Sequence, residues 1–458
     1  MRTFFLKGIC SEWRLSVAAA VVLIFCAPSI ASAQTPTWSG SDSYQAWVGF
    51  NGDFYAPGAN GGQIFTEESV KVGGSSWSSF WEEAEEIEDA DDAYYYSYNN
   101  YPTHDHSAYV NEITALCTGF IDNMPSKWIG SKGGYDWSGD RFNDDLAWAA
   151  AAFTRAYQIT KDQTFLSAAE ENFNTIWNRA QAEVVTVNGV KEVGLAQAQP
   201  PSGVTPKNNP KNWSPNLDAP ANFGFVIAGY LLWDNTGNST YKTEADEVYA
   251  WAMANLYTTS ANNGGPCTGH TSLTCGKIRD ANNTAYNTGV FACTSGTNPA
   301  CFPTTGIGPT DFAYNYGIAV QSNVRYGNNT VAQYITNYLM YNMNNSTYPY
   351  AGTYSYGGTN YNILPNWSGS TDNNNSNDAG YNGIALRGVA FGLSRSALNA
   401  TSQAWAQANV QAAWNQRNSN NVTWANWVSP TTGDQYSWGD SAALAGLLDV
   451  PAPGGYPQ

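Results

Sequence analysis

The chain has 458 residues, with 20 Lys and Arg against 37 Asp and Glu and a net charge of −17. So acidic a surface repels phosphate backbones and anionic lipid, which argues against nucleic-acid and membrane partners but does not oppose a neutral polymer. Only 12% of residues are charged while 14% are aromatic, the reverse of a disordered chain, so a packed domain with aromatic groups to spare is expected.

Arg2, Lys7 and Arg14, the apolar run from Leu15 to Phe25, and Ala31-Ser32-Ala33 together read as a secretory signal peptide cleaved near Ala33. The run is shorter than the roughly 20 residues that a membrane span needs. Residues 34–458 are then expected to be one exported domain, extracellular or periplasmic, and a monomer.

The elements that follow are nearly all helical. Tyr44 to Phe54 comes first, then the pair Phe80 to Tyr96 and Tyr109 to Ile121. Leu146, Ala150, Phe153 and Tyr157 lie on one helical face. After the polar turn Lys161 to Thr164, the residues Leu166, Ala169, Phe173, Ile176 and Ala180 repeat the period. The unit recurs at Ala221 to Trp233 with Tyr241 to Leu256, at Ile318 to Tyr326 with Val331 to Tyr338, and at Ile384 to Leu393 with Trp405 to Ala413. Ala442 to Leu448 closes back on Tyr44 to Phe54, giving about twelve helices in six hairpins. Each hairpin buries one face only, so neighbours must stack. The irregular units and long Gly/Asn/Pro loops favour an all-α closed toroid, (α/α)6, over an open solenoid, with the long loops at one rim.

Five cysteines lie beyond Ala33. Cys267, Cys275, Cys293 and Cys301 cluster in a stretch rich in Gly, Asn and Thr, which in an exported chain reads as a disulfide-rich loop insertion. Three pairings are possible; Cys267–Cys275 with Cys293–Cys301 is preferred. Cys117 sits in an apolar helical pattern and reads as a buried free thiol. No metal or cofactor is expected. His104-Asp105-His106 reads as a solvated loop, and Asp89-Ala90-Asp91-Asp92 as a solvated helix face. Asp372 to Asp378 is oxygen-rich but lacks the central Gly and distant Glu of an EF-hand loop.

Gly139-Asp140-Arg141-Phe142-Asn143-Asp144-Asp145-Leu146-Ala147-Trp148 marks the entry of a loop into a helix. Asn and Asp are preferred caps, and acidic groups suit a first turn, so capping alone would account for them. The same placement serves glycoside chemistry. A retaining glycosidase needs two carboxyls about 5–5.5 Å apart. A helix N-terminus favours an ionised nucleophile, and two neighbouring carboxylates resist ionising together, which keeps one protonated.

The run Asn143 to Trp148, with Tyr157-Gln158-Ile159-Thr160-Lys161-Asp162, resembles glycoside hydrolase family 76. Asp311-Phe312-Ala313-Tyr314-Asn315-Tyr316-Gly317, Asn216 to Ala221, Gly383 to Gly388 and Ala412 to Arg417 resemble further family segments, over roughly residues 75 to 450. The family comprises endo-α-1,6-mannanases and related fungal wall transglycosylases. The resemblance implies an (α/α)6 fold and a retaining endo-acting hydrolase of α-1,6-mannan, with Asp144 as nucleophile and Asp145 as general acid/base; chemistry alone does not divide these roles. The stretch Cys267 to Cys301 is not part of that pattern. Sugars are held by aromatic faces and polar side chains. The candidate substrate-binding residues are Trp81, Asn143, Trp148, Asp218, Tyr314, Asn315 and Asp378. Trp81 and Trp148 also suit a core, Asp218 and Asp378 a helix cap, and Trp424 and Trp427 rim packing. A mannan transglycosylase on the same fold and a non-catalytic glycan-binding surface protein are the alternatives.

Overall fold

The computed structural model describes residues 37–199, 216–258, 265–282, 312–343, 352–365, 379–432 and 436–453. The signal-peptide reading, Cys293, Cys301, Asp378 and the rest of the Asp372 to Asp378 loop lie outside these residues. Twelve α-helices lie among the described residues: α1 (Gly40–Phe54), α2 (Phe80–Asn100), α3 (Ser107–Asn123), α4 (Asn143–Thr160), α5 (Gln163–Ala180), α6 (Ala219–Thr236), α7 (Ser239–Asn255), α8 (Ala313–Tyr326), α9 (Asn329–Tyr341), α10 (Tyr381–Ser394), α11 (Ala400–Asn415) and α12 (Ser437–Asp449).

The even-numbered helices pack in the order α2, α4, α6, α8, α10, α12, and α12 returns to α2, so the ring closes. Outside it, α3 packs on α2, α5 on α4, α7 on α6, α9 on α8, α11 on α10 and α1 on α12. This is the expected (α/α)6 toroid, with the first and last helices completing one another. The tight hairpin between α4 and α5 has a local cause. Lys161 adopts the left-handed conformation and ends α4, and Asp162 caps α5 by accepting the Thr164 N–H.

Burial separates the two rings. The outer α5 buries the stripe Phe165, Leu166, Ala169, Phe173, Ile176 and Ala180, whereas every residue of the inner α6 from Ala219 to Leu232 is buried. Inner helices approach closely where the side chain vanishes. A methyl group on Gly388 of α10 would lie 2.0 Å from the Gly317 carbonyl oxygen of α8.

One inner helix departs from the expected pattern. Asp89, Asp91 and Asp92 do not form a solvated face; with Glu83, Glu85, Glu86 and Glu88 they are buried along α2. Two arginines from other inner helices pair with four of these seven acids. Arg387 of α10 meets Glu85 at 2.5 Å, Asp89 at 2.6 Å and Asp92 at 2.8 Å, while Arg155 of α4 meets Glu88 at 2.8 Å and also pairs with Asp92. Charged residues reach the interior when they are paired and hydrogen-bonded.

Among the described residues, six two-stranded antiparallel sheets decorate the loops. In one, β1 (Gln181–Val187) pairs with β2 (Val190–Leu195) across Asn188-Gly189, both at positive φ. Another joins β3 (Gly265–Cys267) to β4 (His270–Cys275) and carries the expected Cys267–Cys275 disulfide. Cys117 is a buried free thiol, as anticipated. Among the described residues no helix is long and apolar enough to cross a membrane.

Candidate active site

The six inner helices begin at one rim, and their first turns carry its chemistry. Trp81 and Glu82 open α2, Asp144 and Asp145 open α4, and Asp218 caps α6. Tyr314 and Asn315 open α8, Tyr381 opens α10, and Trp438 opens α12. Helix N-termini present unpaired N–H groups and a positive dipole end, which favours anionic side chains there.

The loop before α4 is held from outside the ring. Arg179 of α5 donates through Nε to Asn143 Oδ1 at 2.7 Å, through Nη1 to the Ser138 carbonyl at 2.9 Å and through Nη2 to the Asp140 carbonyl at 2.8 Å. Asn143 Nδ2 donates to the Ala196 carbonyl at 2.7 Å, and its backbone N–H to the Gln197 carbonyl at 2.6 Å. Asn143 has no exposed surface. Both of its side-chain polar atoms are committed to the protein, and they fix the loop.

That anchoring sets the Asp pair. The N-cap position of α4 belongs to Phe142, which caps through no side chain, so neither aspartate serves as the cap. Asp144 is 9% exposed and Asp145 is half-buried. Gln197 Nε2 donates to Asp144 Oδ2 at 3.2 Å, and Asn216 Nδ2 holds Gln197 Oε1 at 3.0 Å. Burial pushes the Asp144 carboxyl up to about 7; the Gln197 bond and helix-start N–H groups oppose this, and the Asp140 charge adds to it. Asp145 is driven well above the usual carboxylate range by burial, then by the charges of Asp144 and Asp140.

Further acids lie within electrostatic reach. Asp218 caps α6 by accepting the Ala221 N–H at 3.1 Å, and its carboxyl is raised by burial and by Asp144 and Asp280. Asn315 is wholly buried, and its Nδ2 donates to Asp280 Oδ1 at 2.8 Å. Tyr314 is half-buried, and its hydroxyl is raised by burial and then by Asp280.

A chain of rings borders these acids. Trp81 lies 6.4 Å from Trp148, 4.6 Å from Trp438 and 6.4 Å from Tyr381. Tyr381 lies 4.1 Å from Tyr314, and Tyr314 lies 5.8 Å from Phe312. Trp81, Tyr314 and Phe312 are half-buried and can offer a face, whereas Trp148, Tyr381 and Trp438 back them from the core. Trp424 and Trp427 are buried, in keeping with rim packing. Among the described residues no cluster of three or more His, Cys, Asp or Glu side chains has the arrangement of a metal site.

Sequence reasoning did not single out Asp140, Gln197, Asp280, Glu82, Tyr381 or Trp438 as site residues. Tyr381 and Trp438 carried a usable signal, an aromatic residue in the first turn of an inner helix. Gln197 and Asp280 lie outside the helices and carried none.

No family model and no curated protein matches the chain. Solved structures do. An inactive variant of the α-1,6-mannanase GH76A of Salegentibacter sp. HEL1_6, with two consecutive aspartates replaced and α-1,6-mannotetrose bound, superposes with a TM-score of 0.58 at 16% identity, over 90% of this chain and 97% of that one. A family 76 glycoside hydrolase from a bovine Bacteroides thetaiotaomicron strain gives 0.61 at 14% identity, over 89% and 76%. Dfg5 from Chaetomium thermophilum, in complex with glucosamine, gives 0.51 at 14% identity, over 90% and 87%. The chain therefore has the (α/α)6 fold seen in the α-1,6-mannanases of glycoside hydrolase family 76.

Proposed function

We propose that the protein is a retaining, endo-acting glycoside hydrolase that cleaves the α-1,6-linked backbone of fungal or yeast-type wall mannan. The observation that carries this reading is the Asp144–Asp145 pair: two consecutive carboxyls at an inner-helix start, unequally raised, beside half-buried aromatic rings. The mannanase neighbour inactivated by replacing two consecutive aspartates supports it.

Asp144 accepts N–H groups from the helix start and from Gln197, bonds that favour its ionised form, so it is the nucleophile. Asp145 is the more strongly raised and holds the proton. In the first step the Asp144 oxygen bonds to the anomeric carbon while the glycosidic C–O bond breaks. The leaving oxygen takes the Asp145 proton. In the second step Asp145 accepts a proton from water, whose oxygen displaces Asp144 and regenerates both groups with net retention. Trp81 and Tyr314 supply faces for sugar rings.

Incubation with linear α-1,6-mannan and branched yeast mannan, followed by product sizing, tests the substrate; release of internal oligosaccharides is expected. Asp144→Asn and Asp145→Asn should each abolish hydrolysis with the fold intact by circular dichroism. Full activity in either variant, or an inverted first product by NMR, overturns the mechanism. Transglycosylation is the same chemistry with a sugar hydroxyl replacing water, and added acceptor oligosaccharide would divert the products to longer chains. A non-catalytic glycan-binding protein would bind mannan and release no reducing ends.

A further inference from the structure

The connection from α2 to α3 lies at the end of the ring opposite the Asp pair. Trp81 opens α2 at the rim, and Tyr98 stands near its other end, about 25 Å along the axis. Rings gather there. Tyr94 and Tyr98, one helical turn apart, lie nearly parallel, with centroids at 5.8 Å and planes at 17°. His106, at the N-cap of α3, lies 5.6 Å from Tyr98 and 6.0 Å from Tyr94. Tyr101 and His104 stack at 5.1 Å and 12°. Tyr94 and Tyr101 rest on the core, so packing explains them. It does not explain Tyr98, which is 49% exposed, or His104, which is also exposed. Beside them the Ser97 hydroxyl and His106 Nδ1 share a hydrogen bond of 3.1 Å, while His106 Nε2 is buried with no hydrogen-bond partner among the described residues. A polar atom so placed can be satisfied by a hydroxyl that comes between the rings.

Charge and composition say what this surface suits. From Tyr94 to Val110 the chain carries one Asp and no Glu, Lys or Arg, so an anionic polymer or lipid finds no counter-charge there. Tyr is common in protein interfaces too, but in company with Arg, Trp and Met, none of which occurs in this stretch. Neutral sugars fit it: their C–H faces lie on aromatic planes, and their hydroxyls meet amides such as the exposed Asn99. We propose that the α2–α3 connection is a second glycan-binding site, which holds a neutral polysaccharide by stacking on Tyr98 and His104, apart from the cleft that cleaves it. The identity of that polymer, α-mannan, rests on the glycosidase reading above. The site keeps the enzyme on the polymer while the cleft works on another stretch or another chain, which raises the local concentration of bonds to cleave. An oligosaccharide too short to engage both places gains nothing from it.

The chain has three histidines, and two of them belong to this surface, so it can be read without altering its rings. In 15N-histidine-labelled protein carrying Asp145→Asn to prevent cleavage, titration with α-1,6-mannotetraose should shift the ring signals of His104 and His106 and leave that of His270 in place. His104→Ala provides the assignment. In gels containing yeast mannan, adding Tyr98→Ala and His104→Ala to the same protein should weaken the apparent affinity by about three- to tenfold, whereas Tyr98→Phe keeps the ring and the affinity. With Asp145 intact, the Tyr98→Ala, His104→Ala protein should show a raised KM on polymeric mannan and an unchanged kcat/KM on the tetraose. Histidine signals that stay in place overturn the proposal, whether or not the double variant folds. So does a folded double variant with the affinity and polymer KM of the wild type. If the wild type cleaves no mannan while His104 and His106 respond, the glycosidase reading fails and the second site stands.

Discussion

Asp144 and Asp145 share a helix turn but meet different neighbours, and the difference is chemical. Gln197 donates to Asp144, whereas Asp145 faces other carboxyls. The Gln197 bond favours the charged form of Asp144, so its removal must raise that carboxyl above its value of about 7. Under the proposed mechanism Asp144 must be ionised to attack, so kcat/KM rises with pH as it loses its proton. In Gln197→Leu the acidic limb of the kcat/KM profile should therefore move to higher pH. Activity at pH 6 would fall more than activity at pH 8. The limb reports the coupled group of acids rather than one residue, so the direction of movement is the test. A limb that stays in place or moves to lower pH would show that Gln197 does not tune the nucleophile.

At the scale of elements, the most consequential contact is the one between α2 and its neighbours. Arg387 meets three carboxylates within 2.8 Å while itself 8% exposed. Removing one partner from a buried ionic cluster leaves the others uncompensated and typically costs about 3–5 kcal/mol. Arg387→Met should lower stability by that order in urea unfolding at pH 8. The loss should be smaller at pH 5, where Glu85 and Asp89, both raised, already hold protons and Asp92 is the acid left charged against Arg387. An equal loss at both pH values would mean that packing, not charge, is what Arg387 supplies. The helices themselves were legible in the sequence, because outer ones such as α5 carry an apolar stripe at helical spacing and end in recognisable caps. The Asp pair was legible too, as acids at a helix entry. Three things were not. The acids of α2 read as solvated because their counter-charges, Arg155 and Arg387, lie far away in the chain. The β1–β2 hairpin has an Asn-Gly turn between valine-rich runs, a signal weaker than those of the flanking helices. Gln197 and Asp280 reach the rim only through tertiary contacts, with no local pattern to mark them.

The whole molecule carries the consequence of burying so many carboxyls. Burial pushes Glu83 and Glu85 up to about 8, and raises Glu86, Asp89 and Asp91 well above the usual carboxylate range. In the unfolded chain these groups titrate near 4, so between about pH 4.5 and 8 the folded state holds more protons than the unfolded one. A raised group contributes its full stability below the unfolded value and loses it as pH rises through the folded value, at up to about 1.4 kcal/mol per pH unit. Asp92, lowered by Arg155 and Arg387 against its burial, has the opposite sign, but its contribution is lost only at pH values below the ordinary carboxylate range. Asp105 and Asp136 are lowered too and likewise act only below that range, so the raised groups fix the direction: the melting temperature should fall steadily from pH 5 to pH 8. Calorimetric scans at unit intervals would read this, and a rise over that range would mean that the α2 acids stay ionised in the fold. The same bias bears on activity, because the closed ring that buries α2 also shields the rim where Asp145 keeps its proton. Stability and the supply of the acid catalyst should thus decline together on the alkaline side. Arg387→Met acts on α2, away from the Asp145 carboxyl, and should separate the two by moving the melting curve while leaving the alkaline limb of kcat/KM where it was.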